Sequence, residues 1–157
     1  MSGSSVASPP PTPGWFEGLE HVLPVRIYYE DTDFTGMVYH ANYLRYFERG
    51  RSDYMRLVGV DHTSLLNRPD PAAFTLTRVE VDFRKAARVD DALQVRTRWA
   101  SIRGPRFLIR QRIVRGDELI AEAVVHAVVI TPDGRARRPP AELVERLTPR
   151  LTGAAPP

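Results

Sequence analysis

Tyr39-His40-Ala41-Asn42-Tyr43-Leu44-Arg45-Tyr46-Phe47-Glu48-Arg49-Gly50-Arg51-Ser52-Asp53-Tyr54-Met55-Arg56-Leu57-Val58-Gly59 is the long stretch of the chain with helical periodicity. Tyr43, Leu44, Phe47, Tyr54, Met55, Leu57 and Val58 recur at helical spacing, which predicts a helix from about Asn42 to Val58. Gly59 stands at the expected C-terminal stop. Gly50 lies mid-helix, where glycine costs about 1 kcal/mol relative to alanine. Close approach of a neighbouring backbone is the expected compensation, so the helix should lie embedded against a sheet.

The flanks supply that sheet. Upstream, Val25, Ile27 and Tyr29 alternate with Arg26 and Tyr28, which reads as a first strand. Downstream, Val79, Val81 and Phe83 alternate with Glu80, Asp82 and Arg84, while Phe74 and Leu76 sit on the opposite parity. A parity change within one strand predicts a bulge or sharp bend. Leu93, Val95, Thr97 and Trp99 form the next alternating run, and Phe107, Ile109, Gln111 and Ile113 the one after. Arg115-Gly116-Asp117-Glu118 reads as a hairpin turn. The run from Leu119 to Ile130 is apolar on both faces apart from Glu122 and His126, so it belongs in a central position or at a subunit interface. Pro132-Asp133-Gly134 ends it, and a short helix follows from Pro140 to Leu147. The order is strand, long helix, four strands: an α+β arrangement of one helix on a bent antiparallel sheet. A sheet edge and an apolar strand are left to cover, which favours a homo-oligomer.

The 157 residues fit one domain. Residues 1–20, rich in Ser, Pro and Gly, are expected to be a disordered lead-in, 21–148 the folded unit and 149–157 a flexible tail. With no cysteine, disulfides, thiolate metal sites and a cysteine nucleophile are excluded, and a reducing cytoplasm is the expected location. No apolar run is long enough to span a bilayer, and the first residues lack the pattern of a signal peptide. The net charge of +3 is carried almost wholly by arginine, and no recognition signature accompanies it, so nucleic acid is not an expected partner. Serine hydrolase chemistry lacks its Gly-x-Ser-x-Gly context.

Between the first strand and the helix lies the acidic loop Glu30-Asp31-Thr32-Asp33-Phe34-Thr35-Gly36-Met37-Val38. Asp31, Asp33, Thr35, Gly36 and Val38 fall on calcium-loop offsets, but Asn42 stands where a bidentate Glu is needed and a strand precedes the loop. From the residues alone, a polar turn leading into the helix and a catalytic loop both remain open. In the second reading a carboxylate faces the unpaired N–H groups of a helix N-terminus.

The string Tyr28-Tyr29-Glu30-Asp31-Thr32-Asp33, then Gly36, Val38-Tyr39-His40-Ala41-Asn42-Tyr43-Leu44 and Phe47-Glu48-Arg49-Gly50-Arg51, closely resembles the hotdog-fold acyl-CoA thioesterases. Within them it is similar to the YbgC group, associated with the Tol–Pal system and related to 4-hydroxybenzoyl-CoA thioesterase. Gly59-Val60-Asp61, the Val79–Phe83 strand and the Arg88–Asp91 turn extend the resemblance over roughly 24–138.

The resemblance implies an acyl-CoA substrate, hydrolysis without metal or organic cofactor, and a homodimer or homotetramer. It makes Asp33 the catalytic carboxylate, as base or nucleophile, and the backbone N–H of His40 the oxyanion donor, with the His40 imidazole a second catalytic candidate. Gly36, Val38, Tyr39 and Tyr43 are expected to shape the substrate site, with Tyr39 as pocket wall and Asn42 as helix cap. Arg84, Lys85 and Arg88 form the best cluster for the coenzyme A phosphates, and Arg103 and Arg106 flank the next turn. Asp31 is expected to be structural, Glu48 to pair with Arg49 or Arg51, and His62 and His126 to be structural. A hotdog dehydratase fits the Asp-Thr-Asp loop poorly. The alternative from another class is a non-catalytic acyl-CoA-binding or Tol–Pal-associated protein, which has no need of both Asp33 and His40.

Overall fold

The helical stretch folds as one helix, α1 (His40–Leu57), in a computed structural model that describes residues 13–153. Expectations for residues 1–12 and 154–157 fall outside the described residues. The helix buries Tyr43, Tyr46, Phe47, Gly50, Tyr54 and Met55 along one stripe, and Phe47 and Tyr54 are fully covered. Truncating Phe47 to alanine would cost about 3–5 kcal/mol.

The stripe packs on a six-stranded antiparallel sheet made of β1 (Trp15–Glu17), β2 (Glu20–Arg26), β3 (Ala73–Phe83), β4 (Ala92–Arg103), β5 (Arg106–Arg115) and β6 (Glu118–Ile130). The spatial order is β1-β2-β4-β5-β6-β3. Short helices α2 (His62–Leu66) and α3 (Ala141–Leu147) complete the α+β architecture. Among the described residues, no helix is long and apolar enough to cross a membrane.

Gly50 shows how closely α1 and the sheet approach. A Cβ there would lie 2.8 Å from Val95 Cγ1, 2.9 Å from Thr97 Oγ1 and 3.1 Å from Gln111 Nε2. The expected close approach is present, but side chains of β4 and β5 make it, not backbone. Gln111 Nε2 donates to the Phe47 carbonyl and to Thr97 Oγ1, and its Oε1 accepts from Arg51, so this buried polar patch is satisfied.

The parity change in β3 is a true irregularity: its register against β6 shifts between Leu76 and Arg78. Phe74, Leu76, Val79, Val81 and Phe83 can therefore share the face towards α1. Further shifts occur at Trp99/Ser101 and at Ile113/Val114, and such bulges bend strands. β6 lies between β5 and β3, as its two apolar faces require, and β3 is left at the sheet edge.

Three boundaries differ from expectation. The first strand ends at Arg26, because Ile27 N–H donates to the Asp91 carbonyl and Tyr28 N–H to the Asp31 carboxylate, turning Tyr29–Asp31 into a single helical turn. The folded body starts before residue 21: β1 pairs with β2, and Phe16 packs edge-on against Tyr54 beneath the Arg150 guanidinium. It also extends past residue 148, where Thr152 and Gly153 donate to the carbonyls of Trp99 and Ala100.

On the outer face of the sheet, Glu20 is almost fully buried and accepts from Arg96, Arg98 and Arg112. Burial pushes its carboxyl up, but the three guanidinium groups outweigh that and hold it below the usual carboxylate range.

Candidate active site

The acidic loop closes on itself through short-range hydrogen bonds. Asp33 N–H donates to the Met37 carbonyl, and Gly36 N–H to the Asp33 carbonyl. Gly36 sits at φ +79°, a left-handed turn that glycine adopts without a Cβ clash. The loop is then tied down from both sides. Val38 N–H donates to the Ala87 carbonyl, Met37 bridges to Arg88, and Tyr39 N–H donates to the Asp31 carbonyl.

Asp33 is exposed, with its Oδ1 occupied by the Thr35 backbone N–H at 2.8 Å and by the Thr35 hydroxyl. Those two donors, aided by the nearby His40, hold its carboxyl below the usual value. Oδ2 has no donor among the described residues. His40 is the first residue of α1, so its N–H belongs to the unpaired leading groups of the helix. Its exposed ring lies between Tyr39, with centroids 4.6 Å apart, and Phe83 at 6.4 Å. The Asp33 carboxylate, the His40 imidazole and the N-terminus of α1 therefore lie near one another.

The supporting residues divide differently from expectation. Tyr39 is half exposed, with its ring tilted at 57° to that of His40. Val38 and Tyr43 are buried in the core beneath the loop and the start of α1. The Tyr43 hydroxyl accepts from Ala87 N–H at 3.2 Å, so its polar end is committed to the scaffold. Asn42 does not cap the helix. It is the third helical residue, and its amide donates back to the Asp31 carbonyl at 2.8 Å, while the Asp31 carboxylate accepts from Tyr28 N–H. Asp31 and Asn42 thus pin the loop to α1, and Asp31 is structural as expected.

The basic trio does not form one open cluster. Arg84 pairs with Glu122 at 2.7 Å and Lys85 with Glu118 at 3.0 Å, both on β6. Arg88 alone keeps its guanidinium beside the loop, 4.0 Å from where a Cβ on Gly36 would stand. Arg103 and Arg106 sit at the ends of the β4–β5 hairpin.

Glu48 makes no ion pair among the described residues. The expected partner Arg51 turns to Gln111 Oε1 at 2.8 Å, and Glu48 Oε1 instead accepts from Ser52 Oγ at 2.6 Å. Ser52 Oγ in turn lies 3.2 Å from His62 Nε2. These groups rim a cavity of about 190 Å³ lined by Met55, Phe74, Leu76, Trp99, Ile109 and Ala127. Neither the cavity nor its polar rim was foreseen; Glu48 and Ser52 at i, i+4 on one helix face was the available signal.

Residues 28–147 match the family model described as the thioesterase-like superfamily. The chain is 38% identical over 108 residues to "Acyl-CoA thioesterase YbgC" of Haemophilus influenzae, covering 69% of this chain and 79% of that one. It is 38% identical over 110 residues to "Acyl-CoA thioester hydrolase YbgC" of Escherichia coli O6:H1, covering 69% and 81%. Among solved structures, a probable thioesterase from Bartonella henselae superimposes with a TM-score of 0.75 at 36% identity, covering 77% of this chain and 99% of that one. The sheet wrapped on a single long helix is the hotdog fold.

Proposed function

The chain belongs to the thioesterase-like superfamily, and from that premise we propose that it hydrolyses acyl-CoA thioesters at Asp33 and the N-terminus of α1. The observation that carries the site assignment is the Asp33 carboxylate, kept ionised by Thr35, beside the unpaired first N–H groups of the helix. The thioester carbonyl oxygen sits against His40 N–H. Water attacks the carbonyl carbon as Asp33 Oδ2 takes its proton, or Oδ2 attacks directly and water then cleaves the anhydride. Collapse of the oxyanion breaks the carbon–sulfur bond and releases the thiol. The helix dipole contributes about 0.3–1 kcal/mol and a well-placed oxyanion donor about 3–4 kcal/mol. In this reading the His40 ring protonates the leaving thiolate and Arg88 meets a coenzyme A phosphate.

β3 supports an assembly of copies. It is an eleven-residue edge strand, with Leu76 and Phe83 41% and 52% exposed. Antiparallel pairing of β3 with the same strand of a second copy sets the Phe74–Leu76 end of one against the Phe83 end of the other. Phe83 packs by His40, so the cavity of each copy then lies next to the loop of its partner. A cytoplasmic location and an association with the Tol–Pal system accompany this reading through the likeness to YbgC proteins.

Asp33→Asn tests the proposal. Its carboxylate is exposed, so the variant should keep the wild-type melting temperature and lose acyl-CoA turnover by a thousandfold or so. Turnover retained in the folded variant overturns the assignment. Binding without turnover in the wild type returns the protein to the acyl-CoA-binding class. For the assembly, Glu80→Pro on β3 should halve the sedimenting mass; an unchanged mass removes β3 as the interface.

A further inference from the structure

The chain His62–Ser52–Glu48 has a direction. A serine hydroxyl carries one proton, and at 2.6 Å Ser52 gives it to the Glu48 carboxylate. The 3.2 Å contact to His62 Nε2 is then one in which the imidazole donates to Ser52 Oγ. His62 is itself held by its edge-on packing against Phe74, with ring centroids 6.4 Å apart. The chain thus runs from α2 through α1 and ends on Glu48, whose Oε2 has no donor among the described residues. The polar edge of the cavity holds Glu48 as an acceptor and Arg51, whose guanidinium donates to Gln111 Oε1, while Phe74, Trp99 and Ile109 on the sheet give it an apolar wall.

We propose that this cavity receives the acyl group and that Ser52 and His62, as positioning residues, hold Glu48 so that the site selects acyl groups presenting a hydroxyl or amino donor. The inference rests on the thioester hydrolase reading above and on the β3 pairing that sets the cavity beside the partner's acidic loop. An apolar acyl group that fills the cavity displaces water from Glu48 and leaves a carboxylate oxygen without a donor; a hydroxyl or amine replaces that water. The discrimination needs Glu48 at a fixed position, because a mobile carboxylate swings back to solvent. The Ser52 hydrogen bond, backed by His62, prevents that swing.

The experiment compares kcat and KM of the wild-type protein on hexanoyl-CoA against its terminally hydroxylated counterpart, and on benzoyl-CoA against its para-amino counterpart. The donor-bearing member of at least one pair should be favoured in kcat/KM by roughly tenfold or more. Ser52→Ala, His62→Gln and Glu48→Gln should each bring that ratio towards one, with the change falling mainly in KM. Ser52→Thr keeps the hydroxyl and should restore the preference, separating positioning from a packing defect. If the wild type hydrolyses both members of each pair equally well, the inference fails and the thioesterase reading stands. If the variants lower both members alike, Ser52 and His62 are structural and the inference also fails. If no acyl-CoA is hydrolysed, both readings fall together.

Discussion

The Tyr43 hydroxyl accepts the Ala87 N–H at 3.2 Å, and the Ala87 carbonyl in turn accepts from Val38 N–H. One buried residue, Ala87, thereby joins the first turn of α1, the strand connection before Arg88 and the end of the acidic loop. Tyr43→Phe leaves the fully buried Ala87 N–H without an acceptor, a cost of about 1–3 kcal/mol. The expected result is a lowered melting temperature and a smaller kcat, because the Ala87 segment, whose carbonyl holds Val38 N–H, is less firmly fixed. An unchanged melt shows that a water replaces the phenol.

Gly50→Ala puts a methyl group within 3 Å of Val95 and Thr97. Helix propensity favours alanine by about 1 kcal/mol, but overpacking of this kind costs about 1–3 kcal/mol. A net loss of stability is expected in urea unfolding. A gain would mean that α1 can lift from the sheet at little cost.

Asp33 carries a lowered pKa because Thr35 donates to it twice. An acid held below its usual pKa stays ionised further into the acid range, so the acid limb of the kcat/KM profile should fall below the ordinary aspartate value. Thr35→Val keeps the backbone donor and removes the hydroxyl, which should move the limb upwards. A limb that does not respond assigns the titration to another group.

His21 is fully buried, with Nε2 2.7 Å from Asp53 Oδ2 and Nδ1 without a partner among the described residues. Burial lowers its pKa and outweighs the opposing pull of Asp53. The unfolded chain therefore takes up this proton at higher pH than the folded one does. The stability linked to His21 is fully present above its ordinary value of 6.5 and is lost as pH falls through the depressed folded pKa. Melting temperatures should decline over that acid range, and His21→Gln should flatten the decline. An equally steep decline in the variant places the titration elsewhere.

Much of the fold is legible along the chain because it depends on near neighbours. The opposite parities of Phe74/Leu76 and Val79/Val81 announce the β3 irregularity, and Gly50 announces a tight helix–sheet contact. The acidic loop is legible for the same reason: Asp33, Thr35 and Gly36 bond to one another. Other features join residues far apart in sequence and leave no local trace. Glu20 finds its arginines 76 to 92 positions away. Arg84 and Lys85 look free until β6 brings Glu122 and Glu118 beside them. Asn42 reads as a cap because asparagine favours caps, but its amide is drawn to the Asp31 carbonyl.

Both ends of the folded body meet beside the C-terminal half of α1: Gly14 N–H donates to Asp53, and Phe16 lies between Tyr54 and Arg150. Tyr54 is fourteen residues beyond His40 on the same helix, about 21 Å along its axis. A purification tag, fluorophore or surface tether joined directly to the described body, at Gly14 or at Gly153, therefore leaves that body well away from the Asp33 loop. Trimming the chain back past Thr152 would strip two carbonyls on β4 of their donors.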